Sequence, residues 1–250
     1  MAKSPAQPGS DNRWKGLRVG ITGIRGALGQ ALCRQFLDQG AVVVGLSHGP
    51  RPSEEPTDHR AQEWVQWSCE TTDDLNPVLA SLDLLVLNHG VNPGADQSSA
   101  SLTRALTVNA LSTWTLINRF EAVSTSSPVT TRHRELWINT SEAEIQPALS
   151  PGYELSKRLI GQLVSLRWSN QTREQRAQLH LRKLVLGPFR SELNPIGVMT
   201  AEWVAKQILI QANWNLSLII VTPNPITYLL MPFTEGVRWM YNRTFNRRDP

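Results

Sequence analysis

Leu17-Arg18-Val19-Gly20-Ile21-Thr22-Gly23-Ile24-Arg25-Gly26-Ala27-Leu28-Gly29 is the stretch whose reading decides the fold. Its first six residues make a short apolar strand that runs directly into a glycine loop. A helical pattern follows, with Leu28, Leu32 and Phe36 on one face and Gly40 as its C-terminal cap. Ala41-Val42-Val43-Val44-Gly45-Leu46 is then continuously apolar, as strands buried on both faces of a parallel sheet are. Strand, glycine loop, helix and strand in this order form the context a dinucleotide fingerprint requires. The glycines let the backbone approach a pyrophosphate, and the helix N-terminus supplies amide donors and positive potential. Thr22, Gly23, Ile24, Arg25, Gly26, Leu28 and Gly29 are therefore the expected cofactor loop. A ligand-free glycine turn is the plainer alternative.

The alternation continues outward. Further strands are expected at Trp64–Cys69, Leu82–Leu87, Leu136–Asn139, Leu179–Leu186 and Leu216–Val221. Helices are expected over roughly Leu102–Phe120, around Tyr153 and Lys157, and after a Thr200 cap. The Tyr153 helix should bury Leu155, Leu159, Leu163 and Leu166 or Trp168. Strands alternating with helices predict an α/β fold, a Rossmann-type doubly wound parallel sheet of about seven strands in a single domain. Residues 1–15 read as a polar, disordered tail, 16–224 as the NAD(P)-binding domain, and 225–250 as a C-terminal amphipathic helical extension.

Composition narrows the function classes. The chain has 250 residues with 40% hydrophobic content, and no apolar run reaches the length of a transmembrane helix. No apolar stretch follows Met1–Pro5, so no signal peptide is expected. Two cysteines, Cys33 and Cys69, point to a reducing compartment, hence a cytoplasmic location, and five scattered histidines give no metal spacing. A net charge of +4 without an aromatic-basic stripe does not indicate nucleic acid.

Tyr153-Glu154-Leu155-Ser156-Lys157 carries the chemistry. Residues four apart share a helix face. An ammonium beside a phenol stabilises the phenolate, so the Tyr153 pKa is expected to fall from its usual value near 10 towards neutrality. Tyr153 is then a general acid/base for a carbonyl/alcohol pair.

Over roughly Leu17 to Thr222 the chain resembles the short-chain dehydrogenase/reductase family. The matching pieces are Thr22-Gly23 with Gly26 and Gly29, Asn88-His89-Gly90, Asn109, Ser141, Tyr153 with Lys157, and Gly187-Pro188. More narrowly, Asn139–Glu144, Tyr153–Arg158, Leu186–Ser191 and Asn194–Met199 resemble the dehydrogenase module of cyanobacterial-type bifunctional sterol desaturase/short-chain dehydrogenase proteins. The resemblance implies that Tyr153 exchanges a proton with the substrate oxygen and that Lys157 lowers its pKa and binds the nicotinamide ribose. It implies that Ser141 hydrogen-bonds the reacting oxygen and Asn109 holds a relay water. Asn88 and Gly90 would brace the cofactor, with Gly187 and Pro188 against the nicotinamide. A homo-dimer or tetramer would be the assembly.

Departures from the pattern leave alternatives open. Ser141 lies one residue closer to Tyr153 than is usual, with Thr140 at the usual spacing and Glu142 where relatives carry a small hydroxyl residue. The catalytic hydroxyl is thus Ser141 or Thr140. The glycine spacing, and Arg182 ahead of Gly187-Pro188, resemble the longer epimerase-type branch, which normally has a C-terminal substrate domain. The second strand ends in Ser47-His48-Gly49-Pro50-Arg51 with no carboxylate, and Arg25 sits in the loop, so Ser47, Arg51 and Arg25 favour NADP over NAD.

The expected function is an NADP(H)-dependent oxidoreductase interconverting a hydroxyl and a carbonyl on a small or lipid-like substrate. The alternatives are a non-catalytic nucleotide-binding regulator or scaffold, and an epimerase/dehydratase-like nucleotide-sugar enzyme. From Ile226 to Phe245 apolar residues recur near helical spacing, followed by arginines up to Arg248. Residues 226–248 are read either as a peripheral membrane contact or as a helix packed on the sheet or a second subunit, adding little to the cofactor site.

Overall fold

Parallel strands deliver all their C-terminal ends to one edge of a sheet, and the chain is built to do so. The computed structural model describes residues 13–51, 60–69, 75–126 and 133–245. Residues 1–12 of the expected tail, and Arg247 and Arg248, lie outside them. The strands are β1 (Arg18–Thr22), β2 (Val42–Ser47), β3 (Glu63–Gln66), β4 (Leu84–Leu87), β5 (Arg134–Ser141), β6 (Leu179–Leu186) and β7 (Leu218–Val221). They pair in the order β3-β2-β1-β4-β5-β6-β7, every neighbour parallel. The order reverses between β1 and β4, and there the loops on either side of the sheet part to leave a crevice.

Helices α1 (Ala27–Asp38) and α7 (Ala201–Asn213) cover one face; α2 (Asn76–Ser81), α4 (Ser112–Ser126) and α5 (Pro151–Asn170) cover the other. The remaining helices are α3 (Ser99–Leu106), α6 (Arg173–Gln178) and α8 (Pro225–Phe245). The helix expected over Leu102–Phe120 is a continuous run from α3 to α4 whose middle, Thr107–Leu111, is wound as a π-helix. Such local widening is common at functional sites, and this one carries Asn109.

Three expectations need correction. Trp14 belongs to the core rather than to a tail, between an exposed Arg13 and an exposed Lys15. Trp14 is 1% exposed and stands edge-on to Phe36 and Trp137 at centroid distances of 5.3 and 5.6 Å. Arg13 pairs with Glu135, itself held by the fully buried Arg182.

The phase of α5 also differs. Leu155, Leu159 and Leu166 are exposed, and the buried face consists of Gly152, Ser156, Lys157, Ile160, Gly161, Val164 and Ser165. The reason is a charge layer beneath the helix. Lys183 on β6 donates to Glu144 (2.6 Å), Glu235 of α8 (2.9 Å), Ser165 (3.0 Å) and the Gly161 carbonyl (3.2 Å). A Cβ at position 161 would meet the Glu144 carboxylate at 2.0 Å, so only glycine fits. Small and polar residues, not leucines, satisfy this layer.

Finally, α8 does reach the site region. Thr227 donates to Glu142 (3.2 Å) and accepts from Gln146 (2.7 Å), while Asn224 donates to Gln146 (2.7 Å), which ties its first turn to the segment after Ser141. Among the described residues no helix is long and apolar enough to cross a membrane.

Replacing a buried Trp by Ala typically costs about 3–5 kcal/mol. Trp14→Ala should show that loss in the urea midpoint at unchanged slope. A loss below about 1 kcal/mol would contradict a core role for Trp14.

Candidate active site

The site begins at Thr22. Its hydroxyl accepts from the Asn88 amide (2.9 Å) and lies 2.8 Å from His89 Nδ1, joining the end of β1 to the loop after β4. Gly23 follows at φ +64°, and a Cβ there would meet the His89 backbone at 2.8 Å. A side chain is therefore excluded both by backbone conformation and by contact.

Two hydrogen-bond paths run from this junction to α5. Asn139 donates from Nδ2 to Asn88 Oδ1 (2.9 Å), and the Asn139 carbonyl accepts from Lys157 Nζ (3.1 Å). By the other path Asn109 accepts from the Val91 amide (2.7 Å) and donates to the Val91 carbonyl (2.9 Å) and to Ser156 Oγ (2.8 Å); Ser156 in turn donates to the Tyr153 carbonyl (2.7 Å). Both amide hydrogens of Asn109 are thus committed to protein acceptors. Asn109 is thereby a brace between the β4 loop and α5.

Ser141 and Thr140 both line the cavity described below but turn their hydroxyls to different partners. Thr140 is turned to the Leu184 carbonyl (3.1 Å) within the sheet. Ser141 accepts from the Ala143 amide (3.2 Å), capping the 3₁₀ turn Glu142–Glu144, and hydrogen-bonds the Tyr153 phenol. Ser141 is the hydroxyl beside the phenol.

The electrostatics differ from the expectation that Lys157 depresses Tyr153. Lys157 Nζ stands 5.7 Å from the Tyr153 ring centre and is directed at Asn139. Burial raises the Tyr153 pKa, the Ser141 hydrogen bond opposes that, and the Glu142 charge adds to it. Burial brings Lys157 down to about 8, against a smaller opposing pull from Glu144. Burial, and then the charge of Lys157, push His89 to about 3, so it is neutral. His89 was not singled out from the sequence as a site residue. Its Nε2 lies 2.8 Å from Ser112 Oγ, so the ring is held at both nitrogens.

These groups line one cavity of about 1290 Å³. Its walls include Gly23, Arg25, Gly26 and Leu28 of the loop; Ser47, Asn88 and Gly90 at strand ends; Ser141, Tyr153 and Lys157; and Gly187, Pro188 and Phe189. Thr22, Ile24, Gly29 and Asn109 lie behind this wall as support. Arg51 is turned away, donating to the Ala61 carbonyl (2.6 Å).

The residues present fit a nicotinamide dinucleotide. The first turn of α1 has neither a side-chain cap nor an acid, which leaves amide donors for a pyrophosphate. Arg25 reaches the end of β2, its guanidinium 2.6 Å from where a Gly49 Cβ would stand, beside Ser47 and His48. Lys157, on the same wall, could donate to a ribose hydroxyl of such a nucleotide.

Lys157 is charged below about pH 8 and neutral above. Nucleotide affinity should therefore fall as pH rises through that value in the unaltered protein and stay flat in Lys157→Met. Parallel profiles would contradict the placement. Ser141→Ala should lower turnover roughly a hundredfold or more, the usual loss when a donor to a reacting oxygen is removed, whereas Thr140→Ala should act chiefly on stability. The reverse ranking would assign the hydroxyl to Thr140.

The comparisons with known proteins agree with this geometry. The chain aligns over 241 residues, 94% of its length, with the monoglucosyldiacylglycerol epimerase of Synechocystis sp. at 38% identity, and spans 56% of that relative's length. Its fold matches a short-chain dehydrogenase from Sphingobium yanoikuyae in complex with NADPH (TM-score 0.71, 15% identity, 94% of this chain and 98% of that one). It also matches one from Burkholderia cenocepacia in complex with NADP (TM-score 0.69, 15% identity, 92% and 98%). Aldohexose dehydrogenase from Thermoplasma acidophilum, at 14% identity, aligns with a TM-score of 0.66 over 84% of this chain and 94% of its own. Residues 19–172 match the model of the NAD dependent epimerase/dehydratase family, and the chain belongs to that family, within the short-chain dehydrogenase/reductase superfamily.

Proposed function

We propose that this protein inverts one hydroxyl-bearing carbon of a lipid-linked sugar through a transient ketone, using NADP(H) catalytically. The observation that carries this reading is the meeting of Ser141, Tyr153 and Lys157 on one wall of a cavity that also contains the glycine loop. A nicotinamide nucleotide in such a cleft supplies a reversible hydride acceptor. Tyr153, as phenolate, takes the hydroxyl proton while the carbon loses its hydrogen as hydride. Ser141 donates to the developing carbonyl oxygen, and the Lys157 ammonium, 5.7 Å from the Tyr153 ring centre, supplies positive charge on the same wall. With the nucleotide bound, return of the hydride to the opposite face of the ketone and of the Tyr153 proton to the oxygen would leave a net inversion and no net redox change.

Inversion requires the ketone to present its second face, and the cavity offers room for that. Ala95, Ala148, Leu149, Leu193 and Ile196 line its outer part, an apolar surface suited to a sugar carrying a hydrocarbon substituent. The relative's name, an epimerase of a monoglucosyl lipid, supports the same substrate class. The motifs read from the sequence favoured a net reductase. The family match and this relative move the epimerase reading ahead of it.

Arg25, Ser47 and His48, with no carboxylate at the end of β2, support NADP(H) over NAD(H). Arg25→Ala should weaken NADPH binding about tenfold, the loss of one charge-assisted contact, and leave NADH binding unchanged; equal losses for both would remove the preference. With monoglucosyldiacylglycerol and substoichiometric NADP, the sugar should invert without lasting accumulation of NADPH. Stoichiometric NADPH with a keto-sugar product would establish a net dehydrogenase instead.

A further inference from the structure

The polarity of α8 is reversed relative to an ordinary surface helix. Its packed side is polar: Glu235 bonds Lys183 (2.9 Å), Arg238 bonds Ser165 (3.2 Å), Asn242 bonds Ser169 (2.7 Å), and Thr227 bonds Glu142 (3.2 Å). Only Met231 joins it to a hydrophobic cluster. Its outward side carries Ile226, Leu230, Phe233, Val237, Tyr241 and Phe245 in one ridge at helical spacing, with Leu229 and Met240 beside them. Leu229 is 75% and Phe233 70% exposed. An apolar ridge of this length left in water is a docking face.

Charge and position indicate what covers it. From residue 203 through the end of α8 the chain has one acidic residue, Glu235, and that carboxylate is turned inward to Lys183. The outward face therefore presents apolar and aromatic groups with Arg243, which stacks on Trp239 at 4.9 Å, and no carboxylate. A second copy apposed on this face would bring arginine to arginine with nothing to neutralise either. An anionic headgroup layer answers both features, since arginines gain at its surface while Trp and Tyr rings sit at the boundary.

The same side of the molecule holds the mouth of the cavity. Gln146, bonded to Thr227 and Asn224 at the start of α8, leads directly into Pro147-Ala148-Leu149 of the cavity wall. Leu149 is 90% exposed, and Leu193 and Ile196 across the opening are exposed as well.

We propose that α8, together with the rim formed by Leu149, Leu193 and Ile196, docks on the surface of an anionic lipid bilayer and turns the cavity mouth to the headgroup layer. The docking surface stands on α8 itself; that a lipid-linked sugar enters by this route rests on the functional reading above.

The test uses the full chain and flotation with vesicles of phosphatidylcholine alone or mixed with phosphatidylglycerol. The unaltered protein should float with the mixed vesicles. Leu229→Ser/Phe233→Ser changes no charge and should abolish flotation, with NADPH affinity and turnover of monoglucosyldiacylglycerol in detergent micelles retained. Arg243→Gln should weaken flotation about fivefold, the share of one arginine near an anionic surface. Flotation unchanged in the Leu229→Ser/Phe233→Ser protein would mean adsorption by general basicity and would overturn the proposal. So would failure of the unaltered protein to float, or loss of an oligomer in light scattering with flotation intact, which would assign the face to a second copy. Absent micellar turnover alongside normal flotation would sink the functional reading and leave the docking surface standing.

Discussion

The hydroxyl of Thr22 joins two loops that a parallel sheet would otherwise let diverge, and the site is arranged around that junction. Oγ1 meets the Asn88 amide and His89 Nδ1 at the crevice between β1 and β4. From there one path reaches Lys157 through Asn88 and Asn139, and another reaches the Tyr153 backbone through Asn109 and Ser156. Every link is a short, direct hydrogen bond in a region largely shielded from water, where an unmade partner is costly. The glycine loop and the acid/base helix are thereby held as one unit. His89 must stay neutral for this to work, and its burial beside Lys157 ensures that it does.

A second polar layer lies further along the same buried face of α5. Lys183 is fully buried and joins Glu144, Glu235, Ser165 and Gly161, so β6, α5 and α8 share one charge centre. Such an arrangement is held more by the cost of breaking it than by its net gain, because removing one member leaves a buried charge unanswered. It explains why Leu155, Leu159 and Leu166 of α5 and the apolar ridge of α8 face outward, while Ile160 and Val164 still pack in the core. The inner faces are occupied by groups that must meet Lys183, and the leucines and aromatics are left on the surface.

Much of this was legible in the sequence. The strand-loop-helix-strand unit at Leu17–Leu46 follows from apolar runs around a glycine loop, a signal that burial in a parallel sheet enforces directly, and the bounds expected for β6, Leu179–Leu186, match although the strand carries Arg182 and Lys183. Tyr153 and Lys157 were found by type and spacing, Ser141 through the family resemblance with Thr140 as its alternative, and all four line one cavity. The misses share a cause. Helical periodicity assigns apolar residues to the inside, so it placed Leu155, Leu159 and Leu166 against the sheet, where Gly161 and Ser165 in fact stand. Lys183, Glu144 and Glu235 are far apart in the chain, and nothing local announces that they meet. Trp14 was assigned to a tail because its partners Phe36 and Trp137 come from distant segments. The Tyr153 pKa was judged from a pairwise spacing alone, whereas desolvation, a property of the assembled cavity, dominates it.

A nucleotide-mediated inversion differs from acid/base exchange at carbon in the route taken by one hydrogen. Hydride passed to the cofactor and back does not mix with solvent. The most direct measurement is therefore the reaction run in deuterated water with monoglucosyldiacylglycerol, catalytic NADP and the unaltered protein, followed by mass and NMR analysis of the inverted carbon. The account predicts an inverted sugar whose carbon-bound hydrogen at that position is protium from the substrate. Deuterium at that carbon would show that the proton leaves carbon directly, and would contradict the role assigned to Ser141, Tyr153 and Lys157.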